Sequence, residues 1–301
     1  MNVNTAATAR KKKIEKYFHK TPNPNDNVIA LAFLTGGGVL ALVGLVMFAG
    51  GNAFFGVVLL AGAGYLGYQG FVRKSAYDRA HEASTPKPTA REMDRLLLDD
   101  LLKIERTAMA QLDLTSEDLQ LETSGNDPFA ALAHGSTSTA DGGRRPLVVF
   151  GPAVNSGFAI GEDDVWRCKR YEVMVICPTS YHMAIYRCVL DFLTGGMQSV
   201  ETHEYHYADV VAVSTNTRPA PDLVLDILAV IDEEQVRFAR TLLKEFQIVV
   251  SSGDRSKVVV GISDEEDPDN SATLQDSGIN RVIDTVRKVL RDKKGGTAAL
   301  N

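Results

Sequence analysis

VIALAFLTGGGVLALVGLVMFA (28–49), a Gly50-Gly51-Asn52 break, then AFFGVVLLAGAGYLGYQGF (53–71): this stretch decides the architecture. No Asp, Glu, Lys, Arg or His falls inside it. Each half is roughly 20 residues, the length an α-helix needs to cross about 30 Å of hydrocarbon. Backbone N–H and C=O groups in lipid must be paired internally, so the stretch predicts two helices joined by a tight turn.

Charge on the flanks predicts orientation. Arg10, Lys11, Lys12, Lys13, Lys16 and Lys20 precede the first span, Arg73, Lys74 and Arg79 follow the second, and the turn between them carries none. Cations beside a span stay on the cytoplasmic side, so both ends of the chain are expected in the cytosol. A cleaved signal peptide does not fit, because the apolar run is too long and no small-residue cleavage site follows it. Small residues recur as Ala32/Gly36, Gly37/Ala41 and Ala63/Gly67, spacings that let helix backbones approach closely. They serve either packing within the hairpin or assembly of a homo-oligomer. No ionisable residue inside the spans marks an ion path.

Outside the hairpin, 301 residues leave room for one ordinary soluble domain with connecting segments. The net charge of −6 argues against a nucleic-acid binder, which needs a broad basic face. Cys168, Cys177 and Cys188 fit neither a redox pair nor a zinc spacing, and all three lie in apolar runs. They are expected as buried hydrophobes in a reducing compartment.

Residues 1–27 form a basic, polar tail ending in TPNPNDN, a segment with nothing to pack. Residues 11–20 suit a short basic helix on an anionic membrane surface, aided by Ile14, Tyr17 and Phe18, but a solvated positive-inside anchor is the favoured reading. Residues 72–122 read as a helical connector interrupted by Pro86 and Pro88. Within it Met93, Leu97, Leu101, Ile104, Ala108 and Leu112 fall on one face of an amphipathic helix over 89–112, and Thr115 or Ser116 offers a cap for a short turn through Leu121. That helix suits packing on the following domain and pairing with a second chain equally. Residues 123–145, containing a lone His134, have the composition of a flexible linker.

From Pro146 the pattern changes to strands at 146–150, 171–178, 181–193, 198–207, 209–215, 246–251 and 257–262. A turn is expected at Thr179-Ser180 and another at 252–255. Between them, 232–244 suits a helix, while 223–231 fits helix or strand. Glu265, Glu266, Asp267 and Asp269 form an acidic loop without the ligand spacing of a calcium site. The domain closes at 294 with a helix starting near Ser277, whose apolar face is Ile279, Val282, Ile283, Val286, Val289 and Leu290. Its cations, Arg281, Arg287, Lys288, Arg291, Lys293 and Lys294, gather toward the C-terminal end that the helix dipole favours; a tail of 295–301 follows.

Motifs for chemistry are missing. His203 and His206 are three apart in a strand pattern and point to opposite faces, unlike the helical zinc pair. Gly151, Gly157 and Gly161 do not make a phosphate loop. No catalytic residue, metal or cofactor is expected.

The run YHMAIYRCVLDFLTGGMQSVETHEYHYADVVAVST, followed by FQIVVSSGDRSKVVVGI and the final helix, resembles a pleckstrin-homology-like domain over residues 146–294. The whole is similar to bacterial membrane proteins in which such domains, including the GRAM-like kind, follow a short transmembrane hairpin. The resemblance implies an α+β membrane protein: a two-helix hairpin, an amphipathic helix, and an antiparallel sheet or barrel closed by a C-terminal helix. It also implies a multi-pass inner-membrane location. Head-group binding is not carried over, because Glu162, Asp163 and Asp164 make an early loop acidic. The favoured expectation is a non-catalytic scaffold that binds a protein partner. The alternatives are a peripheral lipid sensor using Arg144, Arg145, Arg167, Lys169 and Arg170, or an accessory subunit of a transporter or channel.

Overall fold

The structure, a computed structural model, describes residues 3–120, 144–153, 156–220, 226–229, 241–265 and 272–295. The linker with His134, the loop residues 266–271 and most of the expected helix at 232–244 lie outside the described residues. The chain forms two compact units: His19–Lys87, and a second assembled from Met1–Phe18 together with Pro88–Asn301.

Helix α1 (Val3–Tyr17) belongs to the second unit, while α2 (Pro24–Ala49) and α3 (Ala53–Ser84) make up the first. Pro24 opens α2 where its missing N–H is no loss, and the Asn23 side chain accepts the Asn25 N–H at 3.0 Å. Both helices are long and apolar enough to cross a membrane. Their outer faces carry exposed Val39, Leu42, Val46, Phe54 and Phe71.

The two helices meet along small residues spaced by seven. Ala30, Gly37 and Gly44 are buried on α2, and Gly56, Ala63 and Gly70 on α3. A seven-residue repeat keeps one seam facing the partner helix. A Cβ on Gly37 would stand 3.1 Å from both the Ala63 carbonyl oxygen and the Gly67 nitrogen, so glycine lets the two backbones approach closely here. Of the expected pairs, Gly37, Ala63 and Gly67 therefore serve contact within the hairpin. Ala32 is instead exposed, Gly36 has nothing within 4 Å of a Cβ position, and Ala41 is only half-buried.

The second unit contains α4 (Ala90–Gln111), ten strands and α5 (Ile279–Gly295). The strands are β1 (Leu147–Pro152), β2 (Gly157–Ile160), β3 (Trp166–Cys168), β4 (Arg170–Pro178), β5 (His182–Asp191), β6 (Gly196–His206), β7 (Val210–Pro219), β8 (Asp226–Ala229), β9 (Thr241–Val250) and β10 (Arg255–Asp264). They form an antiparallel sheet β1-β4-β5-β6, an antiparallel sheet β10-β9-β7, and a small sheet β3-β2-β8 in which β2 and β8 run parallel. The first two sheets approach where a Cβ on Gly151 of β1 would fall 1.8 Å from the Val259 carbonyl oxygen of β10. The described strands make three sheets, not a closed barrel.

Strands β4 and β5 are apolar on both faces because both faces are covered. Tyr171, Val173, Val175 and Cys177, with Ala184, Tyr186 and Leu190, share one core with Met93, Leu97, Leu101 and Ile104 of α4. The opposite residues, Met174, Ile176, Met183 and Ile185, share a second core with Phe246, Ile248 and Val282, Ile283, Val286 and Val289 of α5. The amphipathic helix over 89–112 thus packs on its own domain. It is started by a capping box in which Glu92 Oε2 accepts the Thr89 N–H at 2.9 Å and Thr89 Oγ1 accepts the Glu92 N–H at 3.3 Å.

Three expectations need correction. The stretch expected as a solvated anchor does pack: Ile14 and Tyr17 of α1, with Phe18 just after it, are buried in the first core. Its sequence looks polar because its apolar residues occupy one narrow face. Residues 241–244 are strand rather than the end of a helix, since Leu242 and Leu243 lie opposite Ser263 and Ile262 of β10 and Pro219 and Arg218 of β7. Pairing on two sides outweighs local helical preference. The expected helical turn after Thr115 is a hydrogen-bonded turn, held by Asp118 Oδ2 accepting from Thr115 N and Oγ1, each at 2.7 Å.

One core face is built by helices that come before residue 146, so the fragment 146–301 should expose that face and aggregate. Residues 1–18 joined by a flexible linker to 88–301 should give a soluble, cooperatively melting domain; size-exclusion chromatography and thermal unfolding compare the two. Val286 is fully buried, and Val286→Asp should cost about 4 kcal/mol or more by placing a carboxylate in the second core. Burial also pushes the thiols up, Cys188 to about 11 and Cys177 to about 12. Iodoacetamide at pH 8 should therefore leave the native cysteines unmodified and label all three after denaturation, as mass spectrometry would count.

Candidate functional site

The expected lipid-contact residues do not form one site. Arg145 of the chain entering β1 forks onto Glu105 of α4, Nε to Oε1 at 3.1 Å and Nη2 to Oε2 at 2.7 Å. Arg144 is exposed and donates to the Glu117 carbonyl at 3.2 Å. The antiparallel register sets Leu147 opposite Ile176 and Pro152 opposite Tyr171. Arg144 and Arg145 thus lie at the other end of the sheet from Arg170, eight or nine residues along the strand or about 26–30 Å away at ~3.3 Å per strand residue. Lys169 sits over the Phe18 ring at 5.6 Å, and Arg170 is exposed.

Arg167 is the largest correction, because its side chain is 1% exposed and cannot reach a head group. Its Nε and Nη2 hold Asp94 of α4 at 3.0 and 2.9 Å, Nη1 and Nη2 hold Asp163 at 2.9 and 2.8 Å, and Nη1 meets the Tyr17 hydroxyl of α1 at 3.1 Å. Gln275 donates to the same Asp94 and accepts from the Tyr171 hydroxyl at 2.7 Å. One guanidinium therefore ties α1, α4, β3 and the segment before α5 together. The acidic loop that argued against lipid binding supplies one of its carboxylates. Arg167 holds Asp163 below the usual carboxylate range, and burial raises the Tyr17 hydroxyl.

Basic residues of α1 divide in the same way. Arg10 pairs with Asp100 of α4 and donates to the Phe192 carbonyl at 3.1 Å, and Lys13 pairs with Glu92 at 3.0 Å. Lys11, Lys12 and Lys20 are exposed, and Lys16 is half-buried. In the hairpin unit, Arg73 lies over the Phe33 ring at 4.4 Å and Lys74 pairs with Asp78 at 2.6 Å. Among the described residues no three His, Cys, Asp or Glu side chains gather as metal ligands. His206 lies opposite His182 across the β5–β6 pair.

A different surface has the form of a site. A groove of about 650 Å³ runs between β7 and α5, lined by Val210–Val213 on one side and by Arg287, Leu290, Arg291, Lys294 and Gly295 on the other. Strand β7 is the edge of its sheet, bonded to β9. Val211, at a register irregularity in that pairing, is 59% exposed. Among the described residues beyond the hairpin, Tyr181 is the only large hydrophobic exposed more than this, and Val200 is exposed less. Arg287 Nη2 donates to the Val213 carbonyl at 3.4 Å, and Lys294 Nζ donates to the Val210 carbonyl. Lys293 anchors the same end of α5 on the Ser180 carbonyl at 3.0 Å. The cations at the end of the closing helix were legible as a dipole preference. Their alignment beside an edge strand was not.

The Arg167 network makes two predictions. Arg167→Met removes the guanidinium that holds the buried Asp94 carboxylate and should cost about 3–5 kcal/mol in urea unfolding of the linked 1–18/88–301 domain. The double variant Arg167→Met/Asp94→Leu should recover most of that. Because Asp163 has a depressed native pKa, its contribution is present above the unfolded value of about 3.9 and is lost as pH falls through the native one. Asp163→Asn should flatten the acid limb of the melting temperature in that window.

No protein family, no curated protein and no solved structure matches this chain, so its function must be argued from this geometry.

Proposed function

We propose that the chain is a membrane-anchored docking platform: α2 and α3 cross the bilayer, and the second unit presents the β7–α5 groove to a protein partner in the cytosol. The observation that carries this reading is the groove, an apolar strip beside an edge strand with a cationic rim. Such a surface supplies main-chain hydrogen bonds and side-chain contact to a partner. The pleckstrin-homology-like reading is supported by a four-stranded and a three-stranded meander with one C-terminal helix across them. Helices α1 and α4 and the small sheet β3-β2-β8 are additions to that plan.

Membrane crossing is supported by two apolar helices that share one small-residue seam and leave their remaining faces uncovered. A cytosolic placement of both flanks follows from the cations on either side. Lipid sensing is the weaker reading, since Arg145 and Arg167 are committed to Glu105 and to Asp94 and Asp163.

In an inner-membrane host, a reporter fused after Asn301 should be active as a cytoplasmic fusion and silent as a periplasmic one. The reverse would overturn the orientation. A photo-crosslinking residue at Val211 should give a discrete protein adduct in cells, and one at the exposed Ser252 turn should not. Equal or absent adducts at both positions would remove the groove from the function.

A further inference from the structure

Resting on the docking reading, we propose that the groove takes an extended, acidic segment of a partner protein as an added strand on β7, with its carboxylates received by Arg287, Arg291 and Lys294. The backbone supplies the first part of the argument. An edge strand leaves a row of N–H and C=O groups unpaired by its own sheet, and these either meet water, are guarded, or receive another strand. Here the carbonyls of Val210 and Val213 are met by Lys294 and Arg287 from α5. A docking strand would bring its own N–H donors to those carbonyls in place of the Lys294 and Arg287 groups. The cationic rim of Arg287 and Arg291 beside a desolvating strand favours anions, so a segment that carries them fits best.

Charge complementarity supplies the second part. Among the described residues the groove's lining contains three cations and no carboxylate, in a chain whose net charge is −6. Val211, Val213 and Leu290 form an apolar floor, with Val211 mostly exposed. An extended peptide alternates its side chains, so one with aliphatic residues between Asp or Glu sets the former on the floor and the latter against the rim. About four residues of β7 line the groove, which suits a ligand of roughly four to six residues.

The test uses the full chain in zwitterionic nanodiscs and fluorescein-labelled hexapeptides with alternating Val and Glu, followed by anisotropy. The acidic peptide should bind, and weaken about tenfold or more between low and 0.5 M salt. The Lys-for-Glu peptide, and an acidic peptide N-methylated on alternate amides, should bind at least about tenfold more weakly. Arg287→Glu/Arg291→Glu, with an unchanged melting temperature, should lose the acidic peptide and gain the lysine one. That exchange of preference is not expected of a merely damaged surface. Equal binding of acidic and basic peptides, insensitivity to N-methylation, or no binding of any peptide would overturn the proposal. So would loss of peptide binding in phosphatidylserine-containing nanodiscs alone, which would make the groove a membrane contact. A Val211 adduct in cells without acidic-peptide binding would leave the docking reading standing and remove this chemistry. Absence of both would remove the two together.

Discussion

Strands β4 and β5 carry apolar side chains on both faces, and a sheet of that kind must be covered twice. One face is covered by α4 and α1, the other by α5 and the β10-β9-β7 sheet. Neither cover is optional, because a bare face would present a continuous row of Tyr, Val, Ile and Leu side chains to water. The rest of the second unit follows from this requirement. The glycine at the β1–β10 approach, the capped start of α4 and the apolar stripe of α5 are ways of bringing the covers close.

The covers come from distant parts of the chain, and the hairpin is inserted between two of them. Helix α1 ends immediately before the hairpin unit and α4 begins immediately after it, yet both contribute to the same core. Arg167 joins them, holding Asp94 of α4 and the Tyr17 hydroxyl of α1 with one guanidinium. A buried cation of this sort is costly to desolvate and is tolerated because each nitrogen has a partner. Its value is geometric: the planar fork fixes where two helices from either side of the hairpin meet β3.

Basic residues in this chain thus divide by what surrounds them. Those near buried carboxylates, Arg10, Arg145 and Arg167, are structural. Those on the end of α5 lie beside an edge strand, where Arg287 and Lys294 meet its carbonyls and line a groove. The same residue type serves both purposes, and only its neighbours separate them.

Sequence alone determined the elements with strong local signatures. The two apolar helices follow from length and the lack of charge, the buried β4–β5 pair from an unbroken apolar run, and α5 from its 3.6-residue stripe. The seam of Ala30, Gly37, Gly44, Gly56, Ala63 and Gly70 was also legible, as a repeat of seven, although a four-residue spacing drew attention to Ala32/Gly36 instead. Tertiary structure decided the rest. Of the helix expected over 232–244, the described residues 241–244 are strand because β7 and β10 pair with both sides of β9, and pairing partners far along the chain leave no local mark. Arg167 reads as an exposed cation until Asp94, more than seventy residues earlier, is folded against it. The groove is likewise a relation between a strand edge and a helix end, and neither segment specifies it by itself. Periodicity reports which face of an element is apolar; what covers that face, and which charges it brings together, is fixed only when distant segments meet.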